Sequence, residues 1–182
     1  RISTADGSMI RPDLFFQSPS IPEHVQLNVE RPSRLIHIKN FWQSRYRNKK
    51  LFLNVLPRAA EMLAKDLSYS NLLKQVICEA DLRREQIVME LVELSAGDES
   101  FLYKATKELS DGGFKLAIDD YGINASTIER VKCVRPDIIK MDRSLLLKYE
   151  DGDFSALIEA LALAKELSSK TVIEGIETEH QL

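Results

Sequence analysis

From residue 51 onward the chain alternates short apolar runs with longer stretches whose apolar residues recur at helical spacing, the pattern of a repeated strand–helix unit. The runs fall at 51–55, 87–92, 115–121, 137–142 and 171–177, and the spacing predicts helices near 59–80, 99–110, 126–131 and 154–168. Asp111-Gly112-Gly113 reads as a helix stop, and Asp153 or Ser155 as the cap of the last helix. Strands separated by helices of this length pair in parallel, with helices covering the sheet. Residues 1–50 differ: they hold Pro12, Pro19, Pro22 and Pro32, which predicts short, interrupted helices, partly over 24–47. The basic run Arg45 to Lys50, with Tyr46 and Asn48 inside it, reads as a solvated turn before the first run rather than an anion site.

Each of the five runs carries a polar residue near its end: Asn54, Glu90, Asp119 with Asp120, Lys140 and Glu174. Side chains alternate across a strand, so Phe52 shares a face with Asn54, Val88 with Glu90, Ala117 with Asp119, Ile138 with Lys140 and Val172 with Glu174. An apolar residue below and one polar residue above describe the inward face of a barrel strand. The polar positions lie 36, 29, 21 and 34 residues apart, intervals that mostly hold a strand–helix–strand repeat of about 30 residues. In a parallel barrel the C-terminal strand ends face one cavity, where active sites are built. Four carboxylates and an amide oxygen there form an oxygen-only set suited to Mg²⁺ or Mn²⁺ rather than zinc. Adjacent Asp119 and Asp120 reach one site only if the strand curls, and Gly122 offers a place for that. Taken singly, each acid is better read as a helix cap or a solvated charge, and Lys140 as an ion-pair partner of Asp142 or Glu174; five in register point to a site.

Bulk properties narrow the classes. The 182 residues are 44% hydrophobic and 29% charged, which fits one globular domain over 1–182. A net charge of -3, from 25 basic and 28 acidic residues, gives no field for steering onto nucleic acid. Cys78 and Cys133 lack metal-ligand spacing and fit a reducing cytoplasm, and no apolar run reaches the roughly 20 residues of a membrane helix.

These motifs together resemble the EAL phosphodiesterases. LFLNVLP at 51–57 is similar to that family's third-strand motif and MELVE at 89–93 to its E-x-T-E segment. LAIDDYG at 116–122 resembles the double-aspartate motif, DIIKMDRSLL at 137–146 the lysine strand, and VIEGIETEHQL at 172–182 the E-G-V-E-T segment. The resemblance implies an α/β fold, a TIM-like (β/α)8 barrel variant whose five units 51–182 would lack the first strands and the last strand. It implies a cytoplasmic hydrolase that cuts cyclic di-GMP to linear pGpG with two Mg²⁺ or Mn²⁺ ions, Ca²⁺ being inhibitory. Asn54, Glu90 and Asp119 would bind one ion, and Asp119, Asp120 and Glu174 the other. Lys140 would contact the attacking water, with Glu174 beside it, and Arg1 a substrate phosphate. Glu93, Asp142 and Glu177 would be supporting residues.

The chain departs from the family pattern after the double aspartate. Tyr121, Gly122, Ile123, Asn124, Ala125, Ser126, Thr127 and Ile128 stand where F-G-T-G-Y-S-S-L is usual, with Asn124 able to take a glycine-like turn. Val92 replaces the threonine of E-x-T-E, and Ile173 the usual alanine. The glutamate of the E-A-L signature would precede Arg1. Because the altered loop positions metals and contributes to homodimer contacts in the family, the alternatives are a weak or inactive cyclic di-GMP receptor and an EAL-like protein interaction module.

Overall fold

The computed structural model describes residues 2–3, 6–16, 18–55, 67–91, 99–123 and 127–182. A small antiparallel pair, β1 (Ile2–Ser3) and β2 (Met9–Ile10), precedes a short helix α1 (Pro12–Phe16) and a long one, α2 (Glu23–Trp42). Five parallel strands follow in sequential order: β3 (Leu51–Val55), β4 (Ile87–Leu91), β5 (Lys115–Tyr121), β6 (Ile138–Met141) and β7 (Lys170–Ile173). Between them lie α3 (Leu67–Glu79), α4 (Glu99–Asp111), α5 (Ile128–Val134), and then α6 (Arg143–Glu150) with α7 (Ser155–Leu167).

All five expected strands are present, two of them unchanged in their bounds. The helix stop is also as expected: α4 ends at Asp111, and Gly113 takes φ +87°, a left-handed turn that glycine enters without steric penalty. At the last helix, Asp153 Oδ1 accepts from both the backbone N–H and the hydroxyl of Ser155. Residues 43–50 form turns, with Gln86 Nε2 donating to the carbonyls of Arg47 and Lys49.

The N-terminal expectation needs correction. Pro32 was expected to interrupt the helix, yet α2 runs 20 residues straight through it. The proline sits on the exposed side, while Leu27, Glu30, Arg34 and Ile38 recur every three to four residues on the buried side. Arg34 Nη2 donates to Glu30 Oε1 at 2.6 Å and its Nη1 to the hydroxyl of Tyr69 on α3 at 3.0 Å. Tertiary contacts on both sides of Pro32 thus hold a helix that proline, by propensity alone, would disfavour by about 3 kcal/mol. Helix α6 is an element that the apolar spacing did not predict.

The two faces of the sheet divide as the alternation requires. Leu53, Val55, Ile87, Met89, Leu91, Leu116, Ile118, Ile139 and Met141 point outward into the main core, against Leu73, Ile77, Ala105, Leu109, Val131, Leu157 and Leu163 of the helices. Full burial of each aliphatic side chain contributes roughly 1.5–3 kcal/mol. On the other face, Val88, Ala117 and Ile138 form a separate buried cluster, the floor beneath the polar residues.

Candidate active site

Register explains how the polar residues meet. Asn54 pairs with Glu90 across β3 and β4, and Glu90 with Ala117 across β4 and β5, so Asp119 stands two residues further along. Ile138 pairs with Lys170 across β6 and β7, which places Glu174 four residues beyond that level, and the Glu174 N–H donates to the Met141 carbonyl at 3.0 Å. Such staggering is what tilted strands of a parallel barrel produce.

The double aspartate is accommodated by a bulge. On β5 the paired positions jump from Ile118 to Tyr121, while on β6 they advance only from Ile139 to Met141, so Asp119 and Asp120 together oppose Lys140. Asp120 takes φ +50°, the left-handed region that aspartate enters more readily than most residues. The expected curl is therefore made at Asp120 itself. Gly122, at φ +109°, completes the exit: a Cβ there would lie 2.7 Å from the side chain of Leu145.

Lys140 lies at the centre. Its Nζ contacts Glu90, Asp119 Oδ1 at 2.6 Å and Glu174 Oε1 at 2.7 Å, with its side chain 15% exposed. Burial pushes the ammonium toward deprotonation, but its hydrogen bonds to Asp119, Glu174 and Glu90 outweigh that and hold it above its ordinary value. Glu90 is pushed up, first by burial and then by the negative charges of Asp119 and Glu174, against the opposing pull of Lys140. Asp120 is pushed up by burial and by Asp119, Glu174 and Asp142.

The donors fit a hard divalent cation. Asp119, Asp120 and Glu174 offer carboxylate oxygens that all lie within 4.8 Å of one another. Glu90 Oε1 is buried, and among the described residues it meets the Lys140 ammonium as an ion pair. One ammonium facing four carboxylates leaves negative charge uncompensated, which adds to burial in making Glu90 and Asp120 hold their protons more tightly. A cation on the oxygens would remove that repulsion.

The other expected positions divide. Asn54 is on the inward face but exposed, beside Glu90 in register. Asp142 does not meet Lys140; it caps α6, with Oδ1 accepting from the Ser144 N–H at 2.7 Å. Glu177 lies outside the cluster, held by the two terminal guanidinium nitrogens of Arg143 at 2.7 Å each. Arg143 was not singled out from the sequence; its place directly after an acid able to cap a helix was the available signal. Arg1, Glu93 and Asn124 lie outside the described residues.

Among the described residues no helix is long and apolar enough to cross a membrane. The Escherichia coli K12 protein named probable cyclic di-GMP phosphodiesterase PdeB is 26% identical over 182 residues, covering 97% of this chain and 33% of its own length. The structure of the Bacillus subtilis protein YkuI, with an EAL domain, in complex with substrate c-di-GMP and calcium, superposes with a TM-score of 0.77 at 25% identity, over 98% of this chain and 43% of that one. The manganese and c-di-GMP complex of Klebsiella pneumoniae BlrP1 shares the fold, with a TM-score of 0.75 at 23% identity over 89% of this chain and 41% of that one. This chain thus spans a third to under a half of these relatives. With the fold, the inward acidic rim and an EAL domain match over residues 1–182 in agreement, the chain belongs to the EAL domain family.

Proposed function

We propose that this chain hydrolyses cyclic di-GMP to linear pGpG with the help of two divalent cations, Mg²⁺ or Mn²⁺, Ca²⁺ occupying the site without turnover. The observation that carries the reading is the convergence of Glu90, Asp119 and Glu174 on Lys140, with Asp120 turned toward them by the bulge. The c-di-GMP held with calcium by YkuI, and with manganese by BlrP1, supports the choice of ligand and cation class.

In this reading Asn54, Glu90 and Asp119 hold one cation, and Asp119, Asp120 and Glu174 the other. Bound cations would lower the pKa of a water molecule and neutralise charge on the phosphodiester. Lys140, in contact with Glu90, Asp119 and Glu174, acts as a hydrogen-bond donor that orients the attacking water. We assign proton acceptance to Glu174, whose side chain is 36% exposed against 7% for Glu90 and 15% for Asp119. Arg1 is assigned to a substrate phosphate, and Glu93, Asp142 and Glu177 to support of the loops. A homodimer contact is assigned to residues 121–128, of which Ile123 and Ile128 expose apolar side chains.

Replacing Glu90→Gln or Asp119→Asn in the full-length protein tests the assignment. Each change lowers pGpG formation by at least about 100-fold while the thermal melt stays cooperative; wild-type turnover in either variant would sink it. The departures from the family pattern at Tyr121 to Ile128 favour a second reading, a receptor that binds cyclic di-GMP without cutting it. Calorimetric binding in Ca²⁺, with no product in Mn²⁺, would select that one.

A further inference from the structure

Arg143 has none of the roles above, yet it meets the last strand's exit at two points. It is the first residue of α6, directly after the capping Asp142, whose N–H donates to the Tyr121 carbonyl at 3.0 Å. Its aliphatic stem lies against Gly175: a Cβ built on that glycine would come within 2.6–2.7 Å of Arg143 Cβ, Cγ and Cδ. Gly175 takes φ +74°, so it supplies both the turn and the bare surface on which the stem rests. Beyond it, Nη1 and Nη2 donate to Glu177 Oε1 and Oε2, both at 2.7 Å, in a parallel two-bond fork.

Glu174 directly precedes this grip. Its N–H is bonded to β6 and its carboxylate meets Lys140, so residues 175–177 decide the direction in which the chain leaves the site. The far side is tied to α6 as well. Gln181 Oε1 accepts from the N–H groups of Glu177 and Thr178, and its Nε2 donates to Glu150 Oε2 at 3.1 Å. The Arg143 and Glu177 side chains are 42% and 60% exposed, and exposed ion pairs add little to stability. A fork at two ideal distances combined with a fitted stem is better explained by restraint of position than by energy of folding.

We propose that Arg143 is a positioning residue for the acidic rim: it clamps residues 175–177 to the start of α6 and thereby holds the Glu174 carboxylate among Asp119, Asp120 and Lys140. This rests on the reading of the rim as a cation site. The test compares full-length wild type with Arg143→Ala, Arg143→Lys, Glu177→Gln and the Arg143→Ala/Glu177→Gln pair, by Mn²⁺ calorimetry, kcat and KM for cyclic di-GMP, and thermal melting. Arg143→Ala weakens Mn²⁺ binding and lowers kcat by roughly 10- to 100-fold, KM changes less, and the melting temperature moves only slightly. Lysine keeps the stem but not the fork and restores only part of the loss. The paired variant is no worse than the poorer single one, because both remove the same contact.

Wild-type Mn²⁺ affinity and kcat in Arg143→Ala would overturn the proposal, as would losses that multiply in the pair. Should Arg143→Ala fail to fold, Glu177→Gln, which leaves the stem against Gly175, carries the same comparison. A wild-type protein that binds Mn²⁺ but forms no pGpG overturns the hydrolase reading alone, and calorimetry still decides on Arg143. Absence of Mn²⁺ binding in the wild type overturns both.

Discussion

At the scale of single residues, the site depends on a backbone conformation that β5 would not adopt on its own. Strand alternation alone would send Asp119 and Asp120 to opposite faces; the extra residue at the bulge and φ +50° at Asp120 bring them together. Left-handed backbone at a non-glycine residue costs roughly 1–3 kcal/mol, the kind of strain that persists at functional sites. Asp120→Asn separates the two effects, since asparagine tolerates the same φ but removes a charge crowded by Asp119, Glu174 and Asp142. The EDTA-treated variant melts at higher temperature than the wild type, while pGpG formation is lost; a lower melting temperature would contradict the repulsion described for this rim. The alternation at Phe52/Asn54, Val88/Glu90 and Ala117/Asp119 was legible because period 2 is a local property of any strand. The bulge was legible only as a requirement. Gly122 was its visible signal, whereas the turn itself is made at Asp120, one strand residue earlier than Tyr121.

Elements obey the same division between local and tertiary causes. Strands β3 and β5 have the bounds expected from apolar runs, because in a sheet covered by helices the run and the strand coincide. Helix α2 does not follow its proline, since the buried series Leu27, Glu30, Arg34 and Ile38 is set by contacts with α3 and the core. Pro32 is exposed, so Pro32→Ala removes no buried packing and returns a backbone N–H to the helix. That substitution stabilises the protein by about 1–3 kcal/mol in chemical denaturation; destabilisation would mean that the ring has a packing role. Helix α6 escaped the apolar reading because its eight residues follow directly on β6, leaving no room for a distinct periodic stretch. Its cap, Asp142, lies two residues from Lys140 and reads from the sequence as an ion-pair partner, whereas its carboxylate accepts from the Ser144 N–H.

Over the whole molecule, an acidic rim around one ammonium ties cation binding to pH. Glu90 lies above its ordinary 4.5 and Asp120 above its ordinary 3.8, so both keep protons to higher pH than solvated carboxyls. A cation must displace those protons; affinity therefore rises with pH and falls as the solution is acidified toward these raised values. Mn²⁺ calorimetry in buffers of different ionisation heat, carried from neutrality down toward the ordinary carboxyl range, shows proton release that grows as pH falls and sets in above the range of solvated carboxyls; proton release confined to the ordinary carboxyl range would contradict the raised carboxyls. The alternation of parallel strands with helices and the inward face that carries Glu90, Asp119, Lys140 and Glu174 were readable from residues 51–182. What the rim does with a cyclic dinucleotide is a question of chemistry that turnover alone answers. The most direct measurement incubates the full-length protein with cyclic di-GMP in Mn²⁺, and separately in EDTA, and follows pGpG by chromatography. Hydrolysis at the rim gives pGpG in Mn²⁺ and none in EDTA; cyclic di-GMP recovered intact from the Mn²⁺ reaction would overturn it.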